Sequence, residues 1–326
     1  MVLKNAVAAA VMAPSSHNTQ PWRFRLHDES LELDADRSRS LKVIDAERRQ
    51  QIQSCGCALY NARVAVRAMG FTDEVTTMLV DGDSPEHLAT LRLGAPRITT
   101  PEDHTLMQAV ALRRTNRRAF LPRPVPPADI EALVAAAAAE GAALVRLDPE
   151  HKRALAELVE QADELQFGDP AFRQELARWL IPFGSRRKDG IPFAEKEYGS
   201  NLPFTLMRAM RSPSLGEKFG TIEESLIEGS PLVVVLGTGS DDPASWLACG
   251  QALEAVLLQA TARGLSAAFL NQVLEIPGFR ARIRALVPDI AYPHMVLRLG
   301  TPAEPIHHPA PRRDLSEVLI ESPEGS

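Results

Sequence analysis

Two stretches of the sequence, residues 54–71 and 248–265, are variants of one pattern. The first reads SCGCALYNARVAVRAMGF and the second ACGQALEAVLLQATARGL. Cys55/Cys249, Gly56/Gly250, Ala58/Ala252, Leu59/Leu253, Ala68/Ala262 and Gly70/Gly264 coincide. Each stretch is dense in apolar residues, lacks proline and stops at a glycine, which predicts a helix. Small residues on one face let two such helices approach closely. Each leads to a similar ending, Arg92-Leu93-Gly94-Ala95-Pro96 and Arg298-Leu299-Gly300-Thr301-Pro302. Apolar alternation over 88–93 and 295–299 predicts a strand before both endings. Matched elements in the same order point to an internal duplication, with a first half at 1–100 and a second at 101–326. Two copies do not make a solenoid. Related by a quasi-twofold axis, they would imitate a homodimer within one chain.

The chain has 326 residues, of which 45% are hydrophobic and 24% charged. That composition supports a sizeable core and excludes disordered, collagen-like and disulfide-stapled classes. A formal charge of −6 argues against a nucleic-acid binder while allowing a local basic pocket. Cys55, Cys57 and Cys249 form no metal or disulfide framework and read as buried thiols in a reducing compartment. No apolar run reaches the ~18 residues of a membrane span, and 133–145 is broken by Glu140 and Gly141. The Ala/Val-rich start, up to Ala13, reads as an amphipathic first helix rather than a signal peptide. The expectation is a cytoplasmic chain without membrane or nucleic-acid partners.

Residues 13–24 read APSSHNTQPWRF, a helix-to-strand loop pinned by Pro14 and Pro21. Its short donors and acceptors suit the edge of a flat heterocycle, and equally a well-satisfied turn anchored by Trp22. His17 has no adjacent carboxylate to orient it, and no G-x-S-x-G is present, so acyl-transfer chemistry is not indicated. Residues 112–120 read LRRTNRRAF, with four arginines in six positions. The run follows a helical stretch (105–111) and precedes Pro122 and Pro124. Arginine suits a phosphate dianion, although such a run also fits a solvated turn. The tail adds Pro311-Arg312-Arg313-Asp314, either a surface run or a further positive contribution to that phosphate. No dinucleotide fingerprint or P-loop occurs, and Gly237-Thr238-Gly239 is a lone glycine-rich turn. Between a helix ending near Val159 and a strand at 231–236 lies an insertion too long for a plain loop. Its part at about 164–225 carries Phe167, Trp179, Phe183, Phe193, Tyr198, Phe204, Phe219, Met207 and Met210. It reads as a lid over a ligand or as an extra helical hairpin.

The segments PSSHNTQPW, RRTNRRAF and the CG-x-AL helix together resemble the nitroreductase superfamily of FMN-binding proteins, and within it the Acg-like single-chain branch. In that family the arginine motif precedes the QPW loop; here the order is inverted. A duplication accounts for this, the first half keeping the loop and the second keeping the arginine motif. The second half then has a helix (128–139) and only residues 140–144 where a loop would stand. The resemblance implies an α+β nitroreductase-like fold, internally duplicated, with mixed or antiparallel sheets, long helices and an inserted lid. It also implies one complete FMN site between the halves and a dead complementary site. Arg114, Asn116 and Arg118 match phosphate and ribityl contacts. Pro14, Ser15, Ser16 and Asn18 match the loop against the flavin ring. Asn271 and Gln272 stand where the family has a Glu-Gly pair near flavin N5, and Arg312 and Arg313 match the C-terminal basic pair at the phosphate.

The activity implied is an FMN-dependent oxidoreductase carrying hydride from NADH or NADPH to a small-molecule acceptor, nitroaromatic or quinone-like. The alternative is a flavin-sequestering storage protein whose lid denies the reductant access. Catalysis would lie in the flavin, so no protein acid or base is nominated. The chain would act as a monomeric pseudo-dimer or a weak homo-oligomer.

Overall fold

In the computed structural model, residues 1–77, 86–182, 185–193, 224–304 and 309–320 are described. Most of the expected lid, with Phe183, Tyr198, Phe204, Phe219, Met207 and Met210, lies outside them. Two long helices form the centre. The first, α2 (Arg49–Ala68), and the second, α7 (Pro243–Ala262), are the two repeated stretches, and both are buried over most of their length. They cross at their glycines. A Cβ on Gly56 would lie 2.9 Å from the Cα of Gly250, and one on Gly250 would overlap the carbonyl of Gln53. Only glycine permits backbones this close, which explains the paired Cys-Gly. The thiols flank the crossing: Cys57 donates to Gly250 O (3.2 Å) and Cys55 to Pro21 O (3.4 Å). Burial raises both, and pushes Cys249 up to about 12, so all three stay protonated.

Each central helix is flanked by a four-stranded antiparallel sheet. The first comprises β1 (Trp22–Leu26), β2 (Ser30–Ala35), β3 (Phe71–Thr77) and β4 (His87–Pro96), in the order β1-β2-β4-β3. The second comprises β5 (Ala143–Arg146), β8 (Leu232–Thr238), β9 (Ser266–Phe269) and β10 (Tyr292–Gly300), in the order β5-β8-β10-β9. The pattern is the same: the first two strands adjacent, then the fourth, then the third at the edge. A helix precedes each sheet, α1 (Val2–Ala10) and α4 (Pro127–Ala139). β8 is buried throughout because its Val-rich run sits mid-sheet with both faces covered.

Between them, α3 (Pro101–Leu112) is started by a Thr100/Asp103 capping box with Pro101 at its first position. Asp-Pro pairs start the insertion helices α5 (Pro149–Gly168) and α6 (Pro170–Trp179), with Asp148 and Asp169 accepting first-turn N–H groups. The helix expected to end near Val159 therefore continues to Gly168. It is amphipathic throughout, burying Val159, Ala162, Gln166 and Phe167. Two short parallel strands follow, β6 (Leu180–Pro182) and β7 (Ile191–Phe193). The chain closes with α8 (Gln272–Glu275), α9 (Phe279–Leu286) and α10 (Leu315–Val318). Its end returns to the first half, where Ile320 N donates to Phe24 O (2.9 Å).

Candidate functional site

The proline-pinned loop is the most strained backbone in the structure. His17, Asn18 and Gln20 all have positive φ (49°, 54° and 49°), and the only other such non-glycine residue among those described is Arg48. Left-handed conformations cost side-chain-bearing residues free energy and persist where neighbours over-determine them. Here the neighbours are identifiable. Ser15 Oγ accepts from Gln20 N (2.9 Å), and Ser16 Oγ donates to Gln50 Oε1 on α2. Gln50 Nε2 donates to Glu275 (2.7 Å), as does Gln166 of α5 (2.6 Å). Burial raises the Glu275 carboxyl above its ordinary range.

Two further segments hold the loop. The insertion docks by backbone: Gly190 N donates to Asn18 O (3.1 Å), Asn18 Nδ2 to Gly190 O (2.9 Å), and Gln20 Nε2 to Lys188 O (2.7 Å). The tail docks through Pro311 O, which accepts from Asn18 Nδ2 (3.1 Å), and through Arg312 Nη1, which donates to Asn18 Oδ1 (3.1 Å). Pro14 and Asn18 are buried and Ser15 and Ser16 partly so.

The arginine arm joins the loop through one carbonyl. Met12 O accepts from Arg312 Nη2 (3.0 Å) and from Arg113 Nη2 (3.3 Å). Arg312 therefore touches both loop and arm region. Burial, then Arg113, pulls its guanidinium down to about 9, with Arg114 adding to the effect. Arg114 is also lowered by burial and then Arg113; its Nη1 donates to Ala111 O (2.9 Å) and Arg113 O (2.7 Å). Arg113, Arg114 and Arg312 thus form one cationic cluster. Its counter-charge is Glu254 of α7, fully buried, whose Oε1 lies 3.6 Å from Arg113 Nε. Burial pushes Glu254 up to about 7 against the pull of Arg113. Beyond the cluster the arm lies on β9: Asn116 N donates to Ala267 O (2.9 Å). Arg298 supports it from β10, donating to Arg118 O (2.9 Å).

Several buried polar atoms along this seam make no hydrogen bond within the chain: His17 Nδ1, Asn116 Nδ2, Arg312 Nε, and Arg113 Nε, whose Glu254 contact is an ion pair at 3.6 Å. Such atoms are costly unless something fills their valences. His17 is pushed down to about 4 by burial and then by Arg117, so it is a neutral imidazole at neutral pH. The arrangement can take a polar, anionic ligand at the guanidinium cluster and neutral hydrogen-bonding groups at the loop.

The structure brings Pro14, Ser15, Ser16, Asn18, Arg114, Asn116 and Arg312 to this seam, while the side chains of Arg118, Asn271, Gln272 and Arg313 are engaged elsewhere. Arg118 pairs with exposed Glu304. Asn271 is committed to β10, its Oδ1 accepting from Val296 N (3.1 Å) and its Nδ2 reaching Met295 Sδ (3.0 Å). Gln272 donates to Asp163 of α5 (3.3 Å). Arg313 turns from the cluster toward Gln20, whose Oε1 accepts from Arg313 N (2.8 Å) and whose carbonyl accepts from Arg313 Nη1 (3.2 Å). Sequence reasoning missed Arg113 and Glu254. Arg113 continues the buried stripe of α3 through Leu106, Ala109 and Val110. Glu254 is the one charge inside the apolar run of α7.

A family model, the Nitroreductase family, matches residues 110–288. A Mycobacterium tuberculosis protein whose name places it among the NAD(P)H nitroreductases is 36% identical over 327 residues, covering 99% of this chain and 92% of that one. A second from the same organism, named for acg, is 30% identical over 329 residues, covering 98% and 95%. Among solved structures, the FMN-bound nitroreductase of Bacteroides fragilis is 18% identical, covering 66% of this chain and 97% of its own, at a TM-score of 0.40.

Proposed function

The chain belongs to the nitroreductase family, and from that premise we propose that the seam between loop and arm holds flavin mononucleotide. The activity that follows is NAD(P)H-dependent reduction of a small nitroaromatic or quinone-like acceptor. One observation carries the reading: the Arg113 and Arg312 guanidinium groups meet on Met12 O beside the loop with Arg114 adjoining them, and four buried polar atoms along that seam make no hydrogen bond within the chain. A phosphate dianion suits the first and a heterocycle with a polyol chain suits the second.

In this reading Arg113, Arg114 and Arg312 hold the phosphate, and Asn116 Nδ2 binds the polyol. The loop from Pro14 to Asn18 lines the ring through its backbone and His17 Nδ1. Ser15, Ser16 and Asn18 act by fixing the strained backbone, since their side chains are committed to it. Flavin, when bound, supplies the hydride acceptor and two-electron donor. The chain binds, orients and desolvates; no side chain is assigned a proton-transfer role. Loop and arm come from different halves, so the chain works as its own dimer.

The test is direct. The purified protein is expected to be yellow, and Arg114→Ala with Arg312→Ala colourless, because each charge-assisted contact contributes about 1.5–3 kcal/mol. Anaerobic NADPH or NADH should bleach the visible band. Retention of flavin by the double variant overturns the phosphate assignment. Colour that persists under both reductants favours flavin storage.

A further inference from the structure

A cavity of about 420 Å3 lies against Gln20, bounded by three separate parts of the chain. Arg39 comes from the turn before α2, Arg186, Arg187 and Lys188 from the insertion, and Arg313 from the tail. Five cations face three carboxylates, Asp189, Asp314 and Glu317, which leaves an excess of two positive charges in a chain of net charge −6. The carboxylates are already engaged. Asp189 is shared by Arg39 and Arg187, and Asp314 pairs with Lys188. Glu317 accepts from Asp314 N (2.8 Å). Arg186 is exposed and has no carboxylate partner among the described residues. The Trp179 ring stands beside this cavity, with the guanidinium carbons of Arg39 and Arg187 at 5.8 and 5.9 Å from its centroid.

We propose that this cavity is a phosphomonoester subsite, separate from the Arg113/Arg114/Arg312 cluster, and that it takes the adenosine 2′-phosphate of the reductant and so selects NADPH over NADH. The proposal rests on the oxidoreductase reading of the seam. Its own grounds are independent. The excess of two charges matches a dianion, and forked guanidinium donors suit phosphate oxygens better than a lone ammonium does. The Trp179 indole holds two of these donors, Arg39 and Arg187, over its ring and so fixes them at the cavity. Position supplies the link: Gln20 contacts Lys188 and Arg313 on the cavity side and is two residues from Asn18 at the seam. Neighbouring tail arginines therefore serve two anion sites, Arg312 the inner and Arg313 the outer.

The experiment is calorimetric titration of the full chain with NADP+, NAD+ and inorganic phosphate. NADP+ should bind about tenfold tighter than NAD+, the difference one charge-assisted phosphate contact makes. Arg186→Ala and Arg186→Ala/Arg187→Ala should reduce or erase that ratio; the first removes an exposed group and does not threaten the fold. Equal affinity for the two dinucleotides, or a ratio unchanged in both variants, overturns the proposal. Inorganic phosphate binding as tightly as NADP+ overturns it in favour of a free-phosphate site. The two readings fail separately. A colourless protein that still prefers NADP+ keeps the subsite and loses the flavin; a yellow protein bleached equally by NADH and NADPH does the reverse.

Discussion

Glu254 is a carboxyl held in surroundings that oppose its charge. It is fully buried, its carboxylate oxygens lack a strong hydrogen bond, and its pKa stands at about 7 instead of the ordinary carboxyl value. The raised value fixes a sign. Between about pH 4.5 and 7 the folded chain holds a proton that the unfolded chain has released. The contribution of Glu254 to stability should therefore be greatest below this window and fall by up to about 3 kcal/mol as pH rises through it. Urea denaturation at pH 5, 6 and 7.5 checks this, and Glu254→Gln should flatten the Glu254-dependent part of the slope. Glu254 and Arg113 also show where sequence reading stops. Both have residue types that normally face water, and only the three-dimensional packing of α3 on α7 buries them together. The stripe Leu106, Ala109, Val110, Arg113 carried the hint, but the run of arginines after it drew attention to charge rather than phase. By contrast the backbone around Asn18 and Arg114 is legible as a pinned loop and a helix end, because two prolines and the stop of α3 leave few alternatives there.

At the scale of elements, the crossing of α2 and α7 is the most constrained contact. Gly250→Ala drives a methyl into the Gln53 carbonyl and should cost about 3 kcal/mol by overpacking, read as a lowered midpoint of thermal unfolding. The helices, their repeat and their glycines were readable from 54–71 and 248–265, because a close backbone approach demands small residues wherever it occurs. The repeated endings were not equivalent in use: Arg298 is buried under the arm, whereas Arg92 is exposed. The insertion was the least legible element. Its docking depends on backbone groups at Lys188 and Gly190, which carry no sequence signature. Glu175 of α6 is its other anchor, its carboxylate accepting from the N–H groups of Lys42, Val43 and Ile44. Glu175→Ala should leave those donors without their acceptor, at about 2 kcal/mol, and amide exchange at 42–44 should accelerate.

Across the whole molecule, two sheets of like order flank one pair of helices, yet the two seams differ. Beside residues 140–144, Glu140 pairs with Arg63, which also donates to Asp73 (2.7 Å) and Gln251 (2.8 Å). Tyr60 lies 5.5 Å from both Arg63 and Arg67. The cations there, Arg63 and Arg67, are neutralised by Asp73 and Glu140 of the chain itself. Titration of flavin-free protein with FMN should therefore saturate at one equivalent per chain. No helix among the described residues is long and apolar enough to cross a membrane. The inner guanidinium cluster has a consequence for biosynthesis. Two of its members are in place by residue 114, but the third, Arg312, is synthesised 198 residues later. A chain interrupted between them holds the sequence of both central helices and still lacks the bolt that joins loop to arm, so the seam stays unfastened until Arg312 has been added.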